Sequence, residues 1–74
     1  MKLNELLKKI PRQTLVEVVD LDYRRAWYGE PQEITKFELG YFKGAEVECV
    51  DTFIAEVGEG EFRTAIQVKV RFRA

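Results

Sequence analysis

The sequence predicts an α+β fold, in which a short N-terminal helix packs on one face of an antiparallel sheet of about four strands in two hairpins. Two observations support this prediction. Residues 3–10 place apolar side chains at helical spacing. Residues 45–72 alternate apolar and polar side chains around a Gly-Glu-Gly-Glu segment, as paired strands do. With 74 residues, the chain is expected to form a single domain spanning 1–74, because one core rarely divides below about 100 residues.

The first predicted helix presents one apolar stripe. Its apolar residues fall at positions i, i+3, i+4 and i+7, and they are Leu3, Leu6, Leu7 and Ile10. Pro11 ends the helix, because the residue before a proline is disfavoured in the α conformation. So short a helix is not stable alone in water and is expected to cover the sheet. A partner-binding amphipathic helix is the alternative.

The first hairpin begins with residues 14–21, which are rich in β-branched side chains. Their alternation breaks at Val18 and Val19, so this strand is expected to be buried on both faces or to contain a bulge there. Residues 20–25 form a turn, and the chain returns as a second strand that ends at Gly29. Alternation places Trp27 and Tyr28 on opposite faces of that strand.

A short helix is predicted in the middle of the chain, with an ordered loop as the alternative. Pro31 suits a first helical position, and Glu30 and Glu33 are favourable near a helix N-terminus. The apolar residues that follow keep spacings of three and seven: Ile34, Phe37 and Tyr41.

The second hairpin has a predicted register. With Glu59 and Gly60 as its loop, residue i faces residue 119 − i. One face then pairs Val57 with Phe62, Ala55 with Thr64, Phe53 with Ile66, Cys49 with Val70 and Val47 with Phe72. The other face pairs Glu56 with Arg63, Glu48 with Arg71 and Glu46 with Arg73. Opposed unlike charges contribute roughly 0.2–1 kcal/mol each and favour this register.

This hairpin is too long for a compact chain of this size. An arm of thirteen residues reaches roughly 40 Å, whereas the domain should be roughly 30 Å across. The arm is therefore expected to bend at a bulge, to protrude, or to pack against a second copy. Bending combined with a homodimer or higher homo-oligomer is favoured, because long bare edges promote aggregation.

Two residues of the hairpin stand out in this register. Asp51 would lie on the apolar face opposite Val68, between Cys49 and Phe53. A buried unpaired carboxylate is costly, so Asp51 is expected to mark the bulge that bends the arm. Cys49 is expected to be a small buried apolar residue.

The composition argues against catalysis. The chain has no histidine, no serine and one cysteine, which removes the commonest general base and the commonest hydroxyl nucleophile. These residues cannot assemble a zinc or iron site, so no cofactor or metal is expected. The single cysteine, with neither a signal peptide nor a bilayer-spanning run, predicts a cytoplasmic protein without a membrane partner.

The acidic middle of the chain is the first candidate binding surface. Residues 30–61 have a net charge of −7. After the hairpin ion pairs are formed, the free carboxylates are Glu30, Glu33, Glu38, Glu59 and Glu61. Such a surface can imitate nucleic-acid phosphates and engage a basic groove on a nuclease or another DNA-binding protein. A merely solvated face is the alternative.

Single-stranded nucleic-acid binding is the alternative function. Aromatic rings beside arginines can stack on bases, contributing roughly 1–3 kcal/mol per base. The candidate contacts are Tyr23, Arg24, Arg25, Trp27, Lys69, Arg71 and Arg73. Ion pairing across the hairpin would neutralise most of the basic terminal strand and leave Lys69 without an acidic partner.

The first thirty residues resemble small proteins of bacteriophages and prophages. The shared pattern is Leu-x-x-Leu-Leu-x-x-Ile-Pro, then Thr-x-Val-x-Val-x-Asp, then an aromatic-x-Gly return. It falls on Leu3, Leu6, Leu7, Ile10, Pro11, Thr14, Val16, Val18, Asp20, Trp27 and Gly29. The resemblance implies a non-enzymatic protein that contacts a host macromolecule in the bacterial cytoplasm, since the group includes anti-CRISPR-like inhibitors of host defence. A structural or small-ligand-binding subunit is a further possibility.

Overall fold

The structure, a computed structural model, describes residues 1–72. In chain order, this part contains α1 (Leu3–Lys9), β1 (Leu15–Val19), β2 (Arg25–Gly29), a 3₁₀ turn (Pro31–Glu33), α2 (Lys36–Tyr41), β3 (Glu46–Gly58) and β4 (Glu61–Arg71). The predicted α+β class, the N-terminal helix and the short middle helix are confirmed. None of the helices in this part is long and apolar enough to cross a bilayer.

The four strands form one sheet in the order β2-β1-β4-β3. Both hairpins are antiparallel, but β1 and β4 run parallel, so the expectation of a purely antiparallel sheet is wrong at this junction. β4 takes the central place because Ala65, Val68 and Val70 are fully buried there. β3 contains four carboxylates and no basic residue, and a central position would remove those charges from water.

The main core lies on one face of the sheet, between the strands and α1, and it includes Phe42 directly after α2. The buried side chains of this cluster are Leu3, Leu7, Val16, Val18, Trp27, Phe42, Ala45, Val68 and Val70. A smaller cluster on the opposite face consists of Leu15, Ala55 and Ala65 with Phe53 packed against them. No described helix covers that second face, which is called the open face below.

β1 has both features that its sequence predicts. Four of its five residues are buried, and its register against β2 shifts between Val18 and Val19. The predicted separation of the neighbouring aromatics is also confirmed. Trp27 is 9% exposed in the main core, whereas Tyr28 is exposed on the open face.

The register of the second hairpin differs from the prediction. Gly58 faces Glu61 around the loop, as predicted. Val57, however, is an extra residue with no facing partner in β4, so that Phe53 faces Ala65 instead of Ile66. Gly60 has a φ of 72° and Glu59 is not left-handed. The loop is therefore not a type I′ turn, whose two left-handed residues would suit a regular hairpin. The extra residue makes the predicted pairings wrong.

The shifted register also changes the setting of Asp51 and Cys49. Because strand side chains alternate, a shift of one residue in β3 reassigns every facing pair. Asp51 now faces Gln67 and Cys49 faces Lys69, and both are exposed on the open face. The predicted burial of Cys49 and the predicted bulge at Asp51 are therefore wrong. The register shifts instead around Val57 and between Val47 and Cys49.

The core assignment gives the first testable prediction. Phe42→Ala should lower the free energy of unfolding by about 3–5 kcal/mol, because it leaves a cavity at a side chain that is 2% exposed. Phe37→Ala is the matched control, since Phe37 is 85% exposed, and it should change the free energy by less than about 0.5 kcal/mol. Urea denaturation followed by circular dichroism measures both, and equal losses would contradict this core.

Candidate protein-binding surface

Three of the five predicted free carboxylates have structural partners. Glu33 Oε1 accepts a hydrogen bond of 2.8 Å from the backbone N–H of Glu30, within a capping box. Glu38 Oε1 accepts one of 3.0 Å from the N–H of Thr35, and Thr35 Oγ1 accepts one of 3.1 Å in return. The backbone N–H of Thr35, followed by its hydroxyl, lowers the pKa of Glu38. These carboxylates therefore fix the starts of the 3₁₀ turn and α2.

Arg63 pairs with Glu30, which was predicted to be free, and not with Glu56, its predicted partner. Arg63 Nη1 lies 3.2 Å from Glu30 Oε2, and its other terminal nitrogen donates to the carbonyl oxygen of Gln13. Because of the extra residue at Val57, Glu56 faces Phe62 instead of Arg63. The predicted Glu56–Arg63 pair is therefore wrong. Glu56 has no ion pair within residues 1–72.

The end of the second hairpin projects from the sheet. β1 first pairs with β4 at Ala65, so residues 61–64 of β4 pair with β3 alone. Residues 54–64, called the hairpin tip below, thus form a two-stranded ribbon, and the longest dimension of the molecule is 39 Å. The arm thus extends past β1 and also has two register shifts, whereas its packing against a second copy stays a prediction.

The hairpin tip combines apolar and acidic side chains in water. Its exposed apolar residues are Ile54 (73% exposed), Val57 and Phe62 (62% exposed). Its carboxylates are Glu56, Glu59 and Glu61, and none of them has an ion pair or hydrogen bond within the described chain. The tip therefore includes two of the predicted acidic surface residues, Glu59 and Glu61. It also includes Glu56, which was left out of that surface because it was predicted to pair with Arg63.

β3 is an edge strand whose charges are balanced only at its beginning. Glu46 lies 2.6 Å from Lys2 Nζ. Glu48 lies 2.9 Å from Arg71 Nε, so the predicted ion pair forms, although Arg71 faces Glu46 and not Glu48. The predicted Glu46–Arg73 pair lies outside the described residues. An edge strand presents unpaired N–H and C=O groups, to which another chain can add a strand. Near the hairpin tip, this edge strand has a carboxylate, Glu56, with no ion pair within residues 1–72.

Some of the predicted nucleic-acid contacts meet on the open face. Lys69 Nζ lies 3.2 Å from Tyr23 Oη and 4.5 Å from the centre of its ring. The guanidinium of Arg25 lies 4.3 Å from the ring centre of Tyr28, which the predicted site omitted although its alternation with Trp27 placed it on this face. As predicted, Lys69 has no acidic partner within residues 1–72.

The other predicted nucleic-acid contacts do not join this group. Trp27 is buried in the main core, on the opposite side of the sheet. Arg71 is paired with Glu48, Arg73 lies outside the described residues, and Arg24 is exposed with no side-chain partner in the described chain. The basic and aromatic residues therefore do not form one continuous stripe.

Glu17 is a partly buried carboxylate of the open face. Burial raises its pKa, but a hydrogen bond of 2.9 Å from Gln67 Nε2 and the Arg25 guanidinium at 2.7 Å outweigh this effect. The net result is a pKa below the ordinary value of 4.5. Arg25 is therefore largely neutralised before any ligand binds.

Two searches for a more specific site give no result. No group of three or more His, Cys, Asp or Glu residues within residues 1–72 is arranged to hold a metal ion. Comparison with protein-family models, curated proteins and solved structures finds no match.

Arg25→Gln should raise the pKa of Glu17, because it removes the nearest positive charge. Arg24→Gln is the matched control, and it should leave this pKa unchanged. Since the folded-state pKa is lowered, ionised Glu17 stabilises the fold above its unfolded value, and this stabilisation is lost as the pH falls through the folded-state value. NMR titration of the Glu17 carboxyl carbon checks the assignment, which an equal response to both variants would overturn.

Proposed function

We propose that this protein is a non-catalytic binding module that contacts a basic, partly apolar segment of another protein through the hairpin tip. The observation that supports the proposal is the combination of exposed Ile54 and Phe62 with the unpaired Glu56, Glu59 and Glu61 on one projecting ribbon. Lysine or arginine side chains of a partner would supply the missing positive charge. Such complementarity mainly increases the association rate and the specificity.

The bare edge of β3 favours an extended partner segment. A strand added along residues 54–58 would form main-chain hydrogen bonds with that edge, while its alternate side chains met the two faces of the ribbon. Antiparallel pairing of two β3 strands from two copies is less favourable. Each β3 has four carboxylates and no lysine or arginine, so their meeting adds like-charge repulsion.

The resemblance to phage and prophage proteins suggests which basic partner to test. A nuclease or another DNA-binding protein of the host has a groove whose cations bind phosphate, and the carboxylates of the hairpin tip could occupy such a groove. In this form of the proposal, the protein inhibits its partner by covering that groove. The contact lies at the tip, because Glu30, Glu33 and Glu38 have structural partners.

Charge reversal at the hairpin tip tests the proposal. A short peptide alternating lysine and valine should bind the protein, with NMR shifts concentrated in residues 54–64. Glu59→Lys combined with Glu61→Lys should weaken binding by at least about tenfold, since attraction is replaced by repulsion. Affinity should also fall with added salt.

Two controls accompany this measurement. Asp22→Lys combined with Glu5→Lys makes the same change in net charge at exposed positions outside the tip, and should leave binding nearly unchanged. A peptide alternating glutamate and valine should not bind. An equal loss in both protein variants would show that net charge, and not the hairpin tip, determines binding.

Single-stranded nucleic-acid binding is a second candidate, favoured by the position of Tyr23 and Lys69 together with Arg25 and Tyr28 on the open face. If it is the function, an oligothymidylate should bind at about 50 mM salt with a steep salt dependence. Lys69→Glu should then weaken binding, whereas Lys43→Glu, an equal charge change outside that face, should have less effect. Absence of binding at low salt would exclude this candidate.

A further inference from the structure

A groove beside the base of the hairpin tip has the opposite charge to the tip. It lies between the end of α1 and the 3₁₀ turn, has a volume of about 430 Å³, and is lined by Leu7, Lys8, Ile10, Arg12, Pro31 and Gln32. Neither Lys8 nor Arg12 has a side-chain partner within the described chain, and both are exposed. Leu7, Ile10 and Pro31 supply apolar surface between these cations.

We infer that this groove receives the hairpin tip of a second copy of the chain. The carboxylates of Glu59 and Glu61 complement Lys8 and Arg12, and the ring of Phe62 is an apolar group next to them. Charge complementarity thus identifies the occupant, and apolar contact accompanies it.

Within one chain, the tip carboxylates do not pair with the groove. Arg63 at the base of the tip contacts Glu30 and the carbonyl oxygen of Gln13, next to the groove, but Glu59 and Glu61 have no ion pair with Lys8 or Arg12 within residues 1–72. The pairing of β3 with β4 holds the ribbon in this position. The contact therefore joins two copies and uses a different surface on each of them.

This inference rests on the proposed function in one respect, namely that the hairpin tip is a contact surface. It adds a form of regulation of partner binding, because a tip that occupies the groove of another copy cannot contact a basic partner. Self-association and binding of a basic partner then compete for Glu59 and Glu61. A partner segment should dissociate the assembly as it binds.

Complementation between two variants tests the inference. The groove variant has Lys8→Glu and Arg12→Glu, and the tip variant has Glu59→Lys and Glu61→Lys. Wild-type protein should associate between micromolar and millimolar concentration in analytical ultracentrifugation. Each variant alone should associate at least about tenfold more weakly. An equimolar mixture should associate again, because the intact tip of one variant meets the intact groove of the other.

Two further variants complete the design. A chain with all four reversals should regain association, since its charges are exchanged and remain complementary. Lys36→Glu combined with Lys43→Glu changes net charge as the groove variant does, and should associate like wild type. Circular dichroism of each variant verifies that it is folded.

Three results would overturn the inference. These are a wild-type chain that stays monomeric at millimolar concentration, an equimolar mixture that stays monomeric, and association unaffected by either pair of reversals. The proposed function is tested separately, because the groove variant retains its tip and should bind the lysine–valine peptide with at least wild-type affinity. A wild-type chain that stays monomeric yet binds the lysine–valine peptide would thus contradict only the inference.

Discussion

The parallel contact between β1 and β4 is the interaction on which the rest of the structure depends. It joins the two hairpins into one sheet and places Val16 and Val18 beside Ile66 and Val68, beneath α1. β1 has five residues and β4 has eleven, so the contact cannot extend along the whole of β4. The projecting hairpin tip is therefore a direct consequence of joining strands of unequal length.

The same arrangement determines where negative charge is balanced. Beside the N-terminus, Lys2 and Arg71 reach the first carboxylates of β3. At the other end, Arg63 turns towards Glu30 and stabilises the connection between β2 and the 3₁₀ turn. No cation within residues 1–72 then pairs with Glu56, Glu59 or Glu61. Their lack of partners follows from the strand order and from a single extra residue at Val57.

Local patterns in the sequence predicted the local structure well, because helical spacing, strand alternation and proline act within a few residues. They predicted α1, the burial of β1 on both faces, a short helix in the middle of the chain and the loop at Glu59 and Gly60. Two features escaped prediction. The parallel β1–β4 pairing depends on contacts between distant residues, and the glycines at 58 and 60 mark a turn without showing that Val57 is an extra residue. Because one extra residue shifts every facing pair beyond it, the predicted partners of Asp51, Cys49 and Glu56 were all wrong.

The apolar residues of the hairpin tip are not explained by folding. Ile54 and Phe62 are mostly in water, and cross-strand pairing contributes only roughly 0.2–1 kcal/mol, which threonine or another polar β-former could supply as well. A chain this small has little stability to spare and exposes its large side chains at some risk of aggregation. The neighbouring carboxylates limit that risk by repelling identical tips, yet they attract a basic surface. The fold thus does not require these apolar groups and leaves the charge around them unpaired, and the proposed contact with another molecule rests on this combination.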